Sequence, residues 1–326
     1  MTNIMIIGSG IVGQANGIGL MKKGHNVIFI DNNPSIISAL RSEGLNCYLP
    51  TEISNYNIDS DISMFCVPTP VMIDSRSGGS IDLYPITSSV VHHSRWLRDK
   101  KKKENEGARK KGYNYHHLVV IRSTVLPGTT RNVLLPLLEL HSKMKVGKDI
   151  GLCMQPEFIR SASGESDFLN PHATVIGEFD KTSGDKLENL YTGFDRNGRE
   201  IFRTDLDTAE FMKYVQNCFN TTKISFANEM WLLGRKLGVD ANFALKMAVA
   251  AGEGFWNAHY GSVGGRPYDG VCLPKDIKGF LSFAKENYID MPLISAVDVV
   301  NSRMMELAQQ KQKKEPGKLT VNESKT

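Results

Sequence analysis

The chain has 326 residues, 41% of them hydrophobic, and 39 Lys plus Arg against 35 Asp plus Glu give a formal net charge of +4. The length suits two domains and the composition an ordinary globular protein. The charge excess is too small to point to nucleic acid, and no apolar stretch reaches the roughly 18 residues that cross a bilayer. A cytoplasmic protein with neither a nucleic-acid nor a membrane partner is expected.

Residues 4–7 are a short apolar run that leads straight into glycines, which is neither a signal nor a transit peptide. Strand candidates follow at 3–7, 26–30, 61–67, 118–122, 150–154 and 173–177. Each is apolar, often β-branched and bounded by turn residues, and most are separated by enough chain for a helix. That rhythm predicts an α/β fold with a Rossmann-type, doubly wound parallel sheet and helices on both faces. Residues 98–112 (RDKKKKENEGARKKG) are a dense charge run between a helix and a strand. Acidic residues and glycines are mixed in and no aromatics interleave, so a solvated loop insertion is expected there rather than a nucleic-acid patch.

From Leu206 the texture changes. Asp205 or Asp207 can cap a helix, and Phe211, Val215, Phe219 and Thr222, with no Pro or Gly before Gly234, predict one long helix. A second helix is expected over 240–251, then an irregular glycine-rich segment over 252–271, then helices opened by Pro274 and Pro292. The tail from about 310 is rich in Lys, Glu and Gln and reads as frayed. The expected division is a dinucleotide-binding domain over 1–204, an all-helical domain over 205–309 and a disordered tail over 310–326.

Gly8-Ser9-Gly10-Ile11-Val12-Gly13 is GxGxxG placed directly after a strand and opening a helix. Gly8 makes the tight turn, Gly10 lets the backbone approach a pyrophosphate, and Gly13 lets helix and strand pack closely. The pyrophosphate then sits on a helix N-terminus, where free N–H groups favour an anion. Asp31 ends the second strand, where a carboxylate accepts from adenosine ribose hydroxyls and repels a 2′-phosphate. Asn32 and Asn33 follow it rather than Arg, so NAD is expected over NADP. Taken alone, Asp31 would be a turn residue.

Three strands end in unusual loops: Cys66-Val67-Pro68-Thr69-Pro70, the 123–130 stretch beginning Ser123-Thr124, and Gln155-Pro156-Glu157-Phe158. In an open parallel sheet they converge on the nicotinamide side of the cleft. Lys213 and Asn217 lie one helical turn apart and could stabilise an oxyanion. Alone they would read as an exposed polar stripe. The cysteine count of five is odd and shows no metal spacing. Cys47, Cys66, Cys153 and Cys218 sit among apolar neighbours and are expected in the core. Cys272 differs: in Cys272-Leu273-Pro274-Lys275-Asp276 it lies just before a helix start marked by Pro274. A helix N-terminus and a nearby Lys275 are the setting of a reactive thiol.

The motifs GSGIVG, CVPTP, STVLPGTT, QPEF, AEFMKYVQNCF and GVCLPKD, in this order, resemble the nucleotide-sugar 6-dehydrogenases, the UDP-glucose and GDP-mannose group. The resemblance spans residues 1–305. It implies oxidation of a sugar CH2OH at C6 to a carboxylate with two NAD+, UDP-glucose being the expected substrate. By that resemblance Cys272 is the nucleophile, and Lys213 and Asn217 the oxyanion-stabilising pair. Thr124 and Asp276 hold the water, and Glu157 does acid–base work. The implied cofactor set is Gly8, Gly10, Ile11, Val12, Gly13, Asp31, Pro68, Thr69, Ser123, Thr124 and Lys275. The implied substrate set is Glu157, Phe158, Ile159, Lys213, Asn217, Gly265 and Arg266. A homodimer through the long helix is expected, because its apolar positions fall on more than one face.

Three features depart from the family pattern. Ser161 stands where an acidic residue is usual, residues 257–270 replace the usual glycine-rich loop, and the family's usual C-terminal domain is expected to be lacking. Two other readings compete: a 3-hydroxyacid-type dehydrogenase, which needs no cysteine nucleophile, and an NAD-binding protein without catalysis of its own.

Overall fold

The computed structural model describes residues 1–53, 58–72, 79–107, 117–159, 164–191, 200–270 and 272–314. The chain divides into two compact units, Met1–Gln216 and Asn217–Thr326.

The first unit is built on strands β1 (Asn3–Ile7), β2 (Asn26–Ile30), β3 (Cys47–Tyr48) and β4 (Ile62–Phe65), a small hairpin of β5 (Val71–Met72) and β6 (Ser80–Ile81), and β7 (His117–Ile121), β8 (Ile150–Met154), β9 (Thr174–Glu178) and β10 (Ile201–Asp205). Its helices are α1 (Ile11–Lys22), α2 (Pro34–Ser42), α3 (Tyr84–Gly107), α4 (Leu135–Ser142), α5 (Gly164–Leu169) and α6 (Lys181–Asn189). The sheet order is β10-β9-β8-β7-β4-β1-β2-β3. Chain order therefore reverses between β1 and β4, the switch point of a doubly wound sheet.

Alternation along the strands explains the two-sided burial. Ile4 and Ile6 of β1 face one core with Leu20 of α1 and Leu187 of α6. Met5 and Ile7 face the other with Val90 and Leu97 of α3 and Leu138 of α4.

All six expected strands are present, and four corrections apply. The sheet is not wholly parallel: β9 runs antiparallel to β8, and β10 pairs parallel with β9, so that edge is reversed. Reversed edge strands are common on otherwise parallel sheets because they need no crossover helix. Strand β10 is itself unforeseen. It is a half-exposed edge whose Arg203 donates to Glu178 and Asp185. The charge run is not a loop over its first part, since α3 continues to Gly107 through Lys and Glu, which are good helix formers; its remainder lies outside the described residues. Cys218 is exposed rather than buried, because its sequence neighbours Val215 and Phe219 are themselves exposed on their helix. Ser161 lies outside the described residues.

The long helix α7 (Leu206–Leu237) passes from one unit to the other and runs through Gly234. The rest of the second unit is α8 (Ala241–Ala251), the single turn α9 (Glu253–Trp256), α10 (Cys272–Glu286) and α11 (Pro292–Lys314). Asp240 caps α8, accepting from Phe243 N at 3.0 Å. Buried Glu229 accepts the N–H groups of Leu293 (2.8 Å) and Ile294 (3.1 Å), satisfying the otherwise orphaned start of α11. Leu233, Ala284, Met291 and Ile294 form this unit's small core. The glycine-rich segment is pinned to α11 by reciprocal bonds between Asn301 and Tyr268, at 2.8 and 3.1 Å. Among the described residues no helix is long and apolar enough to cross a membrane, and no group of three or more His, Cys, Asp or Glu could hold a metal ion.

A pair of buried histidines sets an acid limit on the first unit. The His93 ring stacks on Trp96, with centroids 5.1 Å apart, and lies 5.7 Å from that of His117. The two ring nitrogens of His117 bond Ser63 Oγ and the Ser60 carbonyl, each at 2.9 Å. Burial, with the charge of His92 and Lys100, holds His93 down to about 3, and burial, with His93 and Lys100, pushes His117 well below 6.5. The unfolded chain takes up these protons below pH 6.5 while the folded chain refuses them. The histidines' contribution to stability is therefore full above that pH and falls as pH drops toward 3, by up to about tenfold in the folding constant per histidine per pH unit. Urea unfolding at pH 7 and pH 5 is expected to show the loss, and His93→Phe to reduce its slope. An unchanged slope in that variant would refute the assignment.

Candidate active site

Gly8, with φ +90°, closes the turn after β1 so tightly that a Cβ there would meet the backbone of Cys66 and Val67 at 2.8 Å. A Cβ on Gly13 would lie 1.9 Å from Gly8 O, so the turn and the first coil of α1 require glycine at both places. Gly10 is the opposite case. A Cβ there would meet nothing within 4 Å, and no side chain caps α1. The first N–H groups of α1 thus face an open cradle, which fits a pyrophosphate.

Asp31 follows β2 and is fixed by two backbone donors: Ser9 N at 2.7 Å to Oδ2 and Asn33 N at 2.8 Å to Oδ1. Each carboxylate oxygen keeps a further lone pair for a ribose hydroxyl. These residues open onto a cleft of about 890 Å3 at the carboxyl ends of the strands. Asp31, Asn33, Pro50 and Ile53 line it beyond β2 and β3. Cys66 to Thr69 line it beyond β4, Arg122 to Thr124 beyond β7, and Glu157 and Ile159 beyond β8.

The loops of the second half are tied together. Ser123 Oγ donates to Val67 O (2.7 Å), and Thr69 Oγ1 donates to Thr124 O (2.7 Å). Glu210 of α7, wholly buried, accepts the backbone N–H groups of Gly128 and of Thr130, the latter at 2.7 Å, and so anchors the loop that carries Thr124. Burial pushes the Glu210 carboxyl above the ordinary range. A π-helical turn, Thr130–Leu134, follows.

Lys213 is 8% exposed. Its Nζ donates to the Glu157 backbone oxygen, lies 3.4 Å from Glu157 Oε1 and stands 5.3 Å from the centroid of Phe158. Glu157 Oε2 in turn accepts from Ile159 N at 2.7 Å. A buried ammonium and a carboxylate are thus held side by side at the end of β8.

In the first unit the expected residues Gly8, Gly10, Ile11, Val12, Asp31, Pro68, Thr69, Ser123, Thr124, Glu157 and Ile159 share the cleft. Gly13 is buried behind it, and Lys213 and Phe158 adjoin Glu157. Asn217, Gly265, Arg266, Cys272, Lys275 and Asp276 belong to the second unit, and all six are exposed. Cys272 is the first residue of α10 rather than the residue before it. Lys275 Nζ lies 2.6 Å from Asp276 Oδ1. Gly265 has φ +91°.

Two features escaped the sequence reading. One is Glu210, which shares its helix face with Asp207, Lys213 and Asn217 and so carries no local signal of burial. The other is a buried polar network in which Arg122 donates to Gln155 Oε1 and, at 3.4 Å, to Tyr191 Oη, while Tyr191 Oη donates to Gln155 Oε1 at 2.9 Å. Its signal is an arginine standing directly after the apolar run Leu118–Ile121.

Known proteins share this arrangement. A model of the NAD binding domain of the UDP-glucose/GDP-mannose dehydrogenase family matches residues 46–195, and a model of that family's central domain matches 207–303. A ketopantoate reductase PanE/ApbA model matches 4–84. The GDP-mannose 6-dehydrogenase of Pseudomonas syringae pv. tomato is 33% identical, over 94% of this chain and 69% of its own length. The UDP-glucose 6-dehydrogenase of Rickettsia bellii is also 33% identical, over 90% and 65%. A crystal structure of a ternary complex of GDP-mannose dehydrogenase from Pseudomonas aeruginosa matches with TM-score 0.82 at 30% identity, over 96% of this chain and 71% of that one. For a UDP-glucose dehydrogenase from the archaeon Pyrobaculum islandicum the TM-score is 0.65 at 28% identity. The glycine cradle, the anchored Asp31 and these matches together establish that the chain belongs to the UDP-glucose/GDP-mannose dehydrogenase family, the NAD-dependent nucleotide-sugar 6-dehydrogenases.

Proposed function

We propose that this chain oxidises the C6 hydroxymethyl group of a nucleotide-linked hexose to a carboxylate. The balance is R–CH2OH + 2 NAD+ + H2O → R–COO− + 2 NADH + 3 H+. The observation that carries the reading is the Lys213–Glu157 pair at the end of β8. It holds a proton donor and a carboxylate beside the half of the cleft where a dinucleotide presents its nicotinamide.

NAD supplies the hydride acceptor for both oxidations. Among the protein's own groups, Glu157 acts on the hydroxyl proton in the first oxidation. The Cys272 thiolate then adds to the aldehyde carbon, forming a C–S bond and a thiohemiacetal. Lys213 Nζ and the Asn217 amide donate to the oxygen as negative charge develops there. Loss of the second hydride leaves a thioester on Cys272. Water held by Thr124 and Asp276 attacks it, breaking the C–S bond, releasing the acid and restoring the thiol. Lys275 joins the cofactor contacts, and Phe158, Ile159, Gly265 and Arg266 those of the sugar nucleotide.

UDP-glucose is the substrate expected from the sequence motifs. GDP-mannose stands beside it, supported by the higher structural likeness to a GDP-mannose dehydrogenase, 0.82 against 0.65. A homodimer through α7 is part of the proposal. Phe211, Val215, Phe219 and Ile224 are at least half exposed along that helix, and such a stripe is apolar surface in want of a partner. The functional division proposed is a cofactor module over 1–204 and a helical dimerisation module over 205–309.

Purified protein with NAD+ and a panel of GDP-mannose, UDP-glucose and UDP-N-acetylhexosamines is expected to release two NADH per sugar consumed, with Cys272→Ala abolishing it. Tight NAD+ binding with no turnover on any of them would overturn the reading. Asp31→Ala is expected to weaken NAD+ by about tenfold or more in a binding titration while leaving NADP+ much less affected. Equal losses would show that Asp31 does not meet the ribose. Glu210→Gln is expected to lower kcat by about an order of magnitude with little change in the Kd of NAD+, through the loop that carries Thr124. The wild-type protein also loses stability as pH rises above 4.5 through the raised carboxyl of Glu210, and the amide removes that loss.

A further inference from the structure

Arg122 stands where β7 ends, immediately before Ser123 and Thr124, and lines the cleft. It is 5% exposed, and its bonds run to the Gln155 amide oxygen and the Tyr191 hydroxyl. Its Nε is buried with no partner. Among the described residues no carboxylate lies within ion-pair distance of it. Glu157, which lines the same cleft, is matched with Lys213. Among the described residues the remaining groups bonded to it or beside it in the cleft floor, Gln155, Tyr191 and Cys66, are neutral. Burial pushes the Cys66 thiol up to about 12 and raises the Tyr191 phenol. A guanidinium buried among neutral groups is costly and screened by little. Among the described residues nothing of opposite charge pairs with it, and the fold keeps this fixed positive charge in the floor of the cleft.

The position decides what that charge acts on. Asp31 marks the adenosine half, beyond β2. A dinucleotide laid across the switch point then puts its nicotinamide over β4, β7 and β8, the half whose floor contains Arg122. The nicotinamide ring is a cation when oxidised and neutral when reduced, so a fixed cation beneath that half acts unequally on the two forms.

We infer that Arg122 sets the redox preference of the bound cofactor: its charge raises the free energy of bound NAD+ relative to bound NADH and so favours hydride acceptance. Arg122 is on this view a positioning residue that works through its field, held in place by Gln155 and Tyr191. The inference rests on NAD binding alone and stands whichever sugar is the substrate.

The test is the binding of NAD+, NADH and ADP-ribose to the substrate-free protein, followed by NADH fluorescence and displacement. Arg122→Met is expected to lower the ratio Kd(NAD+)/Kd(NADH) by at least about threefold. Arg122→Lys should hold that ratio within about twofold of the wild-type value. ADP-ribose, which lacks the nicotinamide, should bind all forms alike. Should the uncharged variant fail to fold, Gln155→Glu places a carboxylate against the intact guanidinium and must move the ratio in the same direction. A ratio that stays put in Arg122→Met and Gln155→Glu overturns the inference. So does a parallel loss of NAD+, NADH and ADP-ribose, which would make Arg122 a phosphate contact or a purely structural group.

Discussion

The first unit depends on one close approach, that of the Gly8 turn to the backbone of Cys66 and Val67. It follows from parallel pairing of β1 with β4, in which Ile7 stands opposite Phe65, so the two chains leave the sheet together. With a Cβ there meeting backbone atoms at 2.8 Å, no side chain is tolerated without moving β4. The same turn delivers Ser9 N to Asp31 and aims the start of α1 at the cleft. The open start of α1, the anchored Asp31 and the loop after β4 are thus positioned by one contact between two strand ends. A mixed β9–β10 edge is compatible with this because it lies far from the switch point in the sheet order.

Around that contact the polar groups differ in how burial treats them. Glu210 and Lys213 are enclosed and matched with donors or acceptors inside the first unit. They hold loops and one another at fixed geometry, as preorganised electrostatics requires. Arg122 is enclosed and incompletely matched. Replacing such a group by an apolar residue of similar size is often neutral or stabilising, so stability alone gives no reason for a guanidinium there.

Legibility in the sequence follows the range of the interactions involved. The glycine turn and Asp31 could be read because their geometry is local: strand, turn and helix in one short stretch. The six main strands could be read because burial on both faces leaves continuous apolar runs. Strand β3 and the β5–β6 hairpin, two residues per strand, are too short for any periodicity to register. Strand β10 is disguised by Arg203, whose charge is met by residues from β9 and α6. The bond of Arg122 to Gln155 and that of Glu210 to Thr130 join residues 33 and 80 apart, and nothing local announces them. The continuation of α3 into the charge run was legible in principle. Lys and Glu favour helix, but a dense charge run is equally compatible with a solvated loop.

The same logic of burial separates the five cysteines, which composition alone treats alike. Cys47 is buried, with its thiol raised by burial and directed at the Ile37 carbonyl. Cys66 and Cys153 are pushed up further by the same desolvation and stay protonated at any physiological pH. A thiol that cannot ionise is no nucleophile. That leaves Cys218 and Cys272, the two exposed ones. Cys218 lies along the middle of α7, where every neighbouring N–H is already committed to the helix ladder. Cys272 is the first residue of α10, where the helix N–H groups have no partner within the helix. Accessibility sets two thiols apart from the other three, and of these two Cys272 is the one at a helix start.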